Sequence, residues 1–258
     1  AKPGRLSSVR PNLQQVPKRD EQLGKIFRKI FKPKKGYVFV EFDHSQAEPR
    51  LYAHYSQEPI LLEGYNKVPF VDMHSIAAQM MSIERSIAKN LNLGILYTMG
   101  AYKLSRKLRI SIGEAEQIIR RWYHTFRRVG EFTRRASNVA KERKYVRTIL
   151  GRRARFPDPR WSYRAANRII HGSSADILKW KLVEIQRWIE KNNYHDIVIM
   201  LVNIHDAILF QIQEEHLHLI DEIATIFANV QVAPFNLRVP FYADHHKGNN
   251  WSEASYGV

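Results

Sequence analysis

Two spacings of apolar residues divide this chain. Residues 37–43, YVFVEFD, are aromatic and β-branched and predict a strand. Residues 197–212, IVIMLVNIHDAILFQI, predict a hairpin, two apolar strands with His205 and Asp206 at or near the turn. Elsewhere the spacing is helical. Leu178, Leu182, Ile185 and Ile189 share one face and predict a helix from Asp176 to about Lys191. The chain from about Asp72 to about Arg160 reads as mainly helical, and SIGEAEQIIRRWYHTF opens with the Ser111/Glu114 spacing of a capping box. Ser45 and Glu48 repeat that spacing after the first strand, which puts Pro49 near the first turn of a helix, since proline cannot donate an interior bond. Residues 1–33 are polar and loop-like, punctuated by Pro11 and Pro17, and GRRARFPDP (151–159) reads as a basic loop. A helix near 217–230 and a short strand near 237–242 close the chain. Strand, many helices, hairpin, helix, strand is the order of an α+β lobe interrupted by a helical insertion.

Composition narrows the classes. A chain of 258 residues, 44% hydrophobic, can form one large domain or two lobes with real cores. Its longest apolar run, 197–202, is too short to cross a membrane, and the opening AKPGRLSS lacks the apolar core of a signal peptide. The absence of cysteine excludes disulfides, thiolate zinc sites and cysteine nucleophiles, and fits a reducing compartment. Net charge is +16, and residues 101–165 hold 19 Lys/Arg against 5 Asp/Glu, a local excess of +14. Such a field favours a polyanion, nucleic acid above all, over an acidic membrane surface. The alternative is a solvated basic helix face.

Two acids stand out. Asp43 ends the first strand and Asp206 sits at the hairpin turn. If those strands are neighbours, both carboxylates reach one edge, where they would suit hard divalent cations that clamp the attacking and leaving oxygens of a phosphoryl transfer. Either aspartate alone is equally well explained as a turn residue. Within RSIAKNLNLGILY, Arg85, Lys89, Leu93 and Tyr97 recur every four residues and lie along one helix face. Cations for phosphates, then apolar and aromatic surface for a base, is the order a nucleotide needs. An ordinary amphipathic helix with a cationic end has the same pattern.

GRLSSVRPNLQQVP (4–17), DHSQAEPR (43–50), RSIAKNLNLGILY (85–97) and IHDA (204–207) occur in this order, with GRRARFPD, HGSSADILK and GNNW between and after. Together they resemble the family A DNA polymerases, over nearly the whole chain. The resemblance implies a polymerase palm with an antiparallel sheet and a helical fingers insertion: residues 1–58 as first palm part, 59–162 as fingers and adjoining DNA-binding helices, and 163–258 as second palm part. It implies template-directed transfer of deoxynucleotides from dNTP to a primer 3′-hydroxyl, with two Mg2+ ions, or Mn2+ in their place, held by Asp43 and Asp206. Arg85 and Lys89 match the triphosphate-binding pair, Lys89 also as general acid toward pyrophosphate. Tyr97 matches the tyrosine beside the templating position, Leu93 and Gln46 line the substrate site, and Glu48 matches the glutamate that crowds the sugar 2′ position. His74 resembles the histidine that reaches the phosphates. Arg5, Asn12, Gln14, Arg152, Arg153, Arg164, Asn167, His171 and His205 resemble contacts to primer-template DNA.

The chain also departs from the family pattern. Leu93 replaces a usual aromatic ring, Thr98 a usual glycine, and Ala207 the glutamate that normally follows the second aspartate. His171 and Asn203 stand where glutamines are common. The expected thumb and exonuclease-type domains, which precede GRLSS in the family, are not in the 258 residues; the chain is read either as a fragment or as one that a separate thumb or exonuclease chain completes. The alternative function is a catalytically impaired, polymerase-like DNA-binding subunit that needs a partner chain. The expected setting is the cytoplasm or nucleoid of a bacterial or phage-infected cell, with no membrane.

Overall fold

The computed structural model describes residues 4–17, 21–204 and 206–257. In chain order its elements are α1 (Glu21–Lys29), β1 (Tyr37–His44), α2 (Ala47–Ser56), α3 (Pro59–Asn66), α4 (Met73–Met81) and α5 (Arg85–Leu96). There follow α6 (Ala101–Leu108), α7 (Ile112–Thr125), α8 (Arg127–Arg143), β2 (Tyr145–Arg147), β3 (Arg153–Arg155) and α9 (Ala165–Lys191). The chain closes with β4 (Val198–Ile204), β5 (Ala207–Gln213), α10 (Leu219–Ala228), β6 (Ala243–Gly248) and α11 (Trp251–Tyr256). It divides into two compact units: Ala1–Ala47 with Ser174–Val230 and Phe241–Val258, and Glu48–Ser173 with Gln231–Pro240.

The first unit is an antiparallel sheet in the order β4-β5-β1-β6. One face carries Val38, Val40 and Phe42 of β1 with Ile208, Phe210 and Ile212 of β5. Leu178, Ile185 and Ile189 of α9 and Ile223 and Phe227 of α10 cover it, as the apolar spacing of residues 178–189 predicted. The other face carries Phe39 and Leu209 under Trp251 and Ala254 of α11. Beneath that cover, Arg28 and Glu41 are buried together. Arg28 donates to Ser255 Oγ at 2.6 Å and approaches Glu41 Oε2 at 3.4 Å. Glu41 Oε2 also accepts from Trp251 Nε1 at 2.9 Å and from Ser255 Oγ at 2.6 Å, so the buried charges are paired and hydrogen-bonded.

The hairpin forms as expected, β4 turning into β5 with Ile204 opposite Ala207. Its apolar run carries a register shift between Met200 and Val202. Side chains alternate faces along a strand, so one extra residue exchanges them. Val198 and Met200 belong to the α9/α10 side, whereas Val202 and Ile204 belong to the α11 side. A strand that serves both cores in succession has no polar face to show in its sequence.

Several expectations are corrected. Residues 21–29 form a helix rather than a loop, because Arg28 turns inward to Glu41 while Ile26 and Phe27 are exposed, the reverse of the usual amphipathic reading. Residues 153–155 pair with 145–147 rather than remaining a loop. The helix expected from Asp176 begins at Ala165. The closing strand is not 237–242 but β6, which pairs with β1. Leu237, Val239 and Phe241 do alternate inward. Backbone groups of the residues between them go to side chains: Arg238 N–H donates to His54 Nδ1 at 3.3 Å, and the Pro240 carbonyl accepts from Arg50 at 2.8 Å. Pro240 has no N–H to offer a ladder. The sequence ADHHKG of β6 carries no apolar signal. Among the described residues, no helix is long and apolar enough to cross a membrane.

The second unit is mainly helical. Asp72 caps α4, accepting from the His74 and Ser75 amides, and the Ser111/Glu114 capping box opens α7 as its spacing predicted.

His44 makes the first unit sensitive to acid. Its ring stacks on Phe227 with centroids 3.7 Å apart, and Nε2 donates to the Phe227 carbonyl at 2.9 Å. Burial pushes the imidazole from its ordinary value of 6.5 down to about 4, against that hydrogen bond and with a further push from Lys181. The unfolded chain therefore takes up this proton at higher pH than the folded chain. Stability is complete above about pH 6.5 and is lost as pH falls toward about 4, by about 3 kcal/mol for a shift of this size. Urea denaturation at pH 7.5 and pH 4.5 should show this loss, and His44→Gln should remove its share of the pH dependence.

Candidate functional site

β1 is buried along its length except at Asp43. Both faces of the strand are covered until the cover ends, and Asp43 emerges there. Its Cα partner on β5 is Ala207, so Asp206 is the neighbouring residue, one step into the hairpin turn. Directly opposed Cα atoms in an antiparallel pair lie roughly 4.5–5.5 Å apart, so the two aspartates share one end of the sheet. Arg5 NH2 donates to Asp206 Oδ1 at 2.8 Å, and Gln14 Nε2 donates to the Asn203 carbonyl at 3.0 Å, which ties the GRLSS segment to this hairpin. Asn12 caps the short turn before Gln14, and Gln46 follows β1 with φ of +55°. His205 lies outside the described residues. Among the described residues, no group of three or more His, Asp or Glu side chains is arranged to hold a metal ion. Two carboxylates, Asp43 and Asp206, stand at this end of the strand pair, while Glu41 of β1 is buried against Arg28. One residue escaped the sequence reading: Asp244 of β6 is the Cα partner of Asp43 on its other side. Only the register could reveal it, because β6 has no strand signal.

In the second unit, α5 separates two faces as its fourfold spacing predicted. Ala88, Leu91, Asn92 and Ile95 are buried, while Arg85, Lys89 and Tyr97 are exposed and Leu93 is half-buried. Arg85 NH2 donates to Asp72 Oδ2 at 2.7 Å. Burial alone would raise the Asp72 carboxyl, but the hydrogen bonds from Arg85, Ser75 and His74 outweigh it and hold it below its ordinary range. Asp72 was read only as a helix start.

Asn92 is the other residue missed. It is the polar member of an otherwise apolar stripe, and that is the signal that could have exposed it. Its Oδ1 accepts from Trp122 Nε1 at 2.6 Å, and its Nδ2 donates to the Met73 carbonyl at 3.1 Å. An indole N–H only donates and a carbonyl only accepts, so the amide orientation is fixed. Nδ2 also lies 3.0 Å from His74 Nδ1, which must accept, leaving the ring proton on Nε2. Burial keeps this imidazole below its ordinary value; Asp72 opposes the shift, and Arg85 and Lys89 reinforce it.

Glu48, Tyr97 and His171 meet. Tyr97 Oη donates to Glu48 Oε2 at 2.6 Å, His171 Nδ1 lies 2.8 Å from Glu48 Oε1, and the two rings stack with centroids 5.4 Å apart. Tyr52 Oη donates to Asn167 Oδ1 at 2.7 Å, and its burial raises its pKa well above the ordinary value, keeping it a neutral donor. Arg152 donates to the Gly172 carbonyl, Arg153 lies over the Tyr145 ring, and Arg164 stacks on Trp161 and Tyr163.

Comparison with known proteins adds the following. The family model for DNA polymerase family A matches residues 1–253. DNA polymerase I of Synechocystis is 32% identical over 97% of this chain, which spans 28% of that protein. DNA polymerase DpoZ of Acinetobacter phage SH-Ab 15497 is 32% identical over 96% of the chain, which spans 43% of that relative. The POL domain of Pol1 from M. smegmatis, solved in complex with DNA primer-template and dNTP, superposes with a TM-score of 0.90 at 28% identity, over 99% of this chain and 47% of that one. The chain spans less than half the length of each.

Asn92→Ala strips partners from three buried polar groups and should cost about 2–4 kcal/mol in chemical denaturation; nitrogen-15 NMR of the unaltered chain should place the His74 proton on Nε2. Thr98 has φ of +63°, a left-handed conformation that is poor for a β-branched residue. Relief of roughly 1–2 kcal/mol of that strain exceeds the roughly 0.5–1 kcal/mol that glycine loses in chain entropy. Thr98→Gly should therefore raise the denaturation midpoint.

Proposed function

Because this chain belongs to the family A DNA polymerases, we propose that it catalyses template-directed transfer of deoxynucleotides from dNTP to a primer 3′-hydroxyl. The observation that carries this reading is the β1–β5 register, with Asp43 at the end of β1 and Asp206 in the hairpin turn next to its partner Ala207. Their carboxylates are the hard oxygen donors that Mg2+ takes, or Mn2+ in its place, and Asp244 opposite Asp43 makes that end more favourable to cations. Two such ions, when bound, supply positive charge beside the attacking and leaving oxygens of an in-line displacement.

The chain's own contribution is placement. Asp43 is fixed by ladders on both sides, and Asp206 by a tight hairpin and by Arg5. Arg85 and Lys89 would take the triphosphate, Lys89 giving a proton toward the leaving pyrophosphate. His74 would donate its Nε2 proton to a phosphate oxygen. Leu93, Tyr97 and Gln46 would line the nucleotide, and Glu48 would crowd the sugar 2′ position against a ribonucleotide. Arg5, Asn12, Gln14, Arg152, Arg153, Arg164, Asn167 and His171 would contact primer and template. The basic excess in residues 101–165 supports a polyanion partner whose affinity falls steeply with salt. The M. smegmatis neighbour, solved with primer-template and dNTP, supports the same choice of partners.

Primer extension at low salt with Mg2+ tests the reading. Asp206→Asn keeps the size of the side chain and removes its charge, and should lower the extension rate by about 10²–10³-fold, the scale for removing one preorganised electrostatic group. An unchanged rate would reject Asp206 as a metal ligand.

A further inference from the structure

We infer that a cleft between α7 and α8 binds a nucleoside phosphate unit, supplied by the single-stranded 5′ end of the template; the choice of the template as its source rests on the polymerase reading above. The cleft has a volume of about 390 Å3 and is lined by Tyr123 of α7 with Arg127, Gly130, Thr133 and Arg134 of α8. Arg127, Gly130 and Arg134 are spaced by three and four residues and so share one face of their helix. None of these residues belongs to the nucleotide site proposed around α5. Pockets that hold small ligands run from roughly 300 to 1,000 Å3, so this volume suits one nucleotide rather than a duplex.

Tyr123 is held as a platform. The neighbouring Trp122 ring meets it edge to face at 5.1 Å. Gly130 lies directly against it: a Cβ there would come within 2.8 Å of the ring carbon Cδ1, so only glycine lets the ring sit this close to α8. The tyrosine is still 37% exposed, which leaves ring surface for a base to stack on. Bases in a duplex stack on one another, whereas a single strand has free base faces, so an aromatic platform favours the single strand. Burial keeps the phenol above its ordinary value, against the opposing pull of Arg134, so it stays neutral beside a phosphate.

The two arginines supply the charge. Arg134 has neither an ion pair nor a hydrogen bond among the described residues. Arg127 gives its Nε to Glu131 at 3.0 Å, which neutralises that carboxylate and leaves both Nη groups for an anion. Thr133 Oγ1 donates to the Val129 carbonyl at 3.0 Å, so it is left to accept, which fits an N–H of a base and not a phosphate. The cleft is also close to α5. Trp122 Nε1 donates to Asn92 Oδ1 at 2.6 Å, and the buried Tyr52 hydroxyl feels both Tyr97 and Tyr123. An unpaired template strand approaching the end of α5, where Tyr97 would line the nucleotide, has this cleft beside its path.

The experiment is fluorescence anisotropy with the whole chain, comparing a blunt DNA duplex with the same duplex carrying a short 5′ template overhang. The overhang should tighten binding by roughly tenfold, the scale of one stacked base. Tyr123→Leu should abolish that gain and Tyr123→Phe should keep it, with affinity for the blunt duplex unchanged in both. Arg134→Gln should flatten the dependence of log affinity on log salt by about 0.7 for the overhang substrate, the value for one phosphate contact on a single strand, and leave the blunt duplex as it was. No overhang gain in the unaltered chain, a gain that survives Tyr123→Leu, or equal losses on both substrates would overturn the proposal. The second probe is dAMP alone. Binding of dAMP that Tyr123→Leu removes, with no overhang gain, would assign the cleft to a free nucleotide and overturn the template strand as its source. A chain that shows the overhang gain but extends no primer leaves this site standing and removes the polymerase reading instead.

Discussion

The candidate site depends on one pairing, β1 against β5 with Asp43 opposite Ala207. Side chains in a strand alternate with a period of two, so a slip of one residue would turn Phe39, Glu41 and Asp43 to the face that holds Val38, Val40 and Phe42. Such a slip is prohibitive because both faces of β1 are buried. Phe42 and Phe210 pack edge to face at 5.3 Å on one side, and Trp251 closes over Glu41 on the other. The two cores that hold the register are therefore what hold the two aspartates together, 163 positions apart in the chain.

The same logic, with a different period, governs the helical unit. α5 gives its buried stripe to the core and its opposite stripe to solvent. Asn92 is the exception that links them: it is buried, yet through His74 Nδ1 it fixes which nitrogen of a candidate phosphate-binding imidazole carries the proton. Core packing and site chemistry meet in one amide.

Asp206 and Arg85, a proposed metal ligand and a proposed phosphate contact, are ion-paired within the protein. Asp206 is bonded to Arg5 and Arg85 to Asp72. A cation at Asp206 or a phosphate at Arg85 competes with these pairs rather than meeting a bare charge. Arg85 is 53% exposed but Asp72 only 10%, so a phosphate that takes Arg85 must leave Asp72 to the Ser75 and His74 hydrogen bonds that also hold it. The arrangement keeps both side chains placed while leaving them exchangeable.

The sequence by itself determined the α+β order, the hairpin, the capping box of α7 and the fourfold stripe of α5, because each is a local pattern whose period or spacing is set by backbone geometry. Its ordered motifs also identified the family. Tertiary structure alone decided the rest. It put the closing strand at the polar ADHHKG, because edge pairing with β1 satisfies backbone groups without needing apolar side chains. It inverted α1, because Glu41 needs a buried partner and Arg28 supplies it. It brought Asp244 beside Asp43 and His171 against Glu48, contacts between residues more than a hundred positions apart. No periodicity records such meetings; they follow from register and packing, which exist only once the chain has folded.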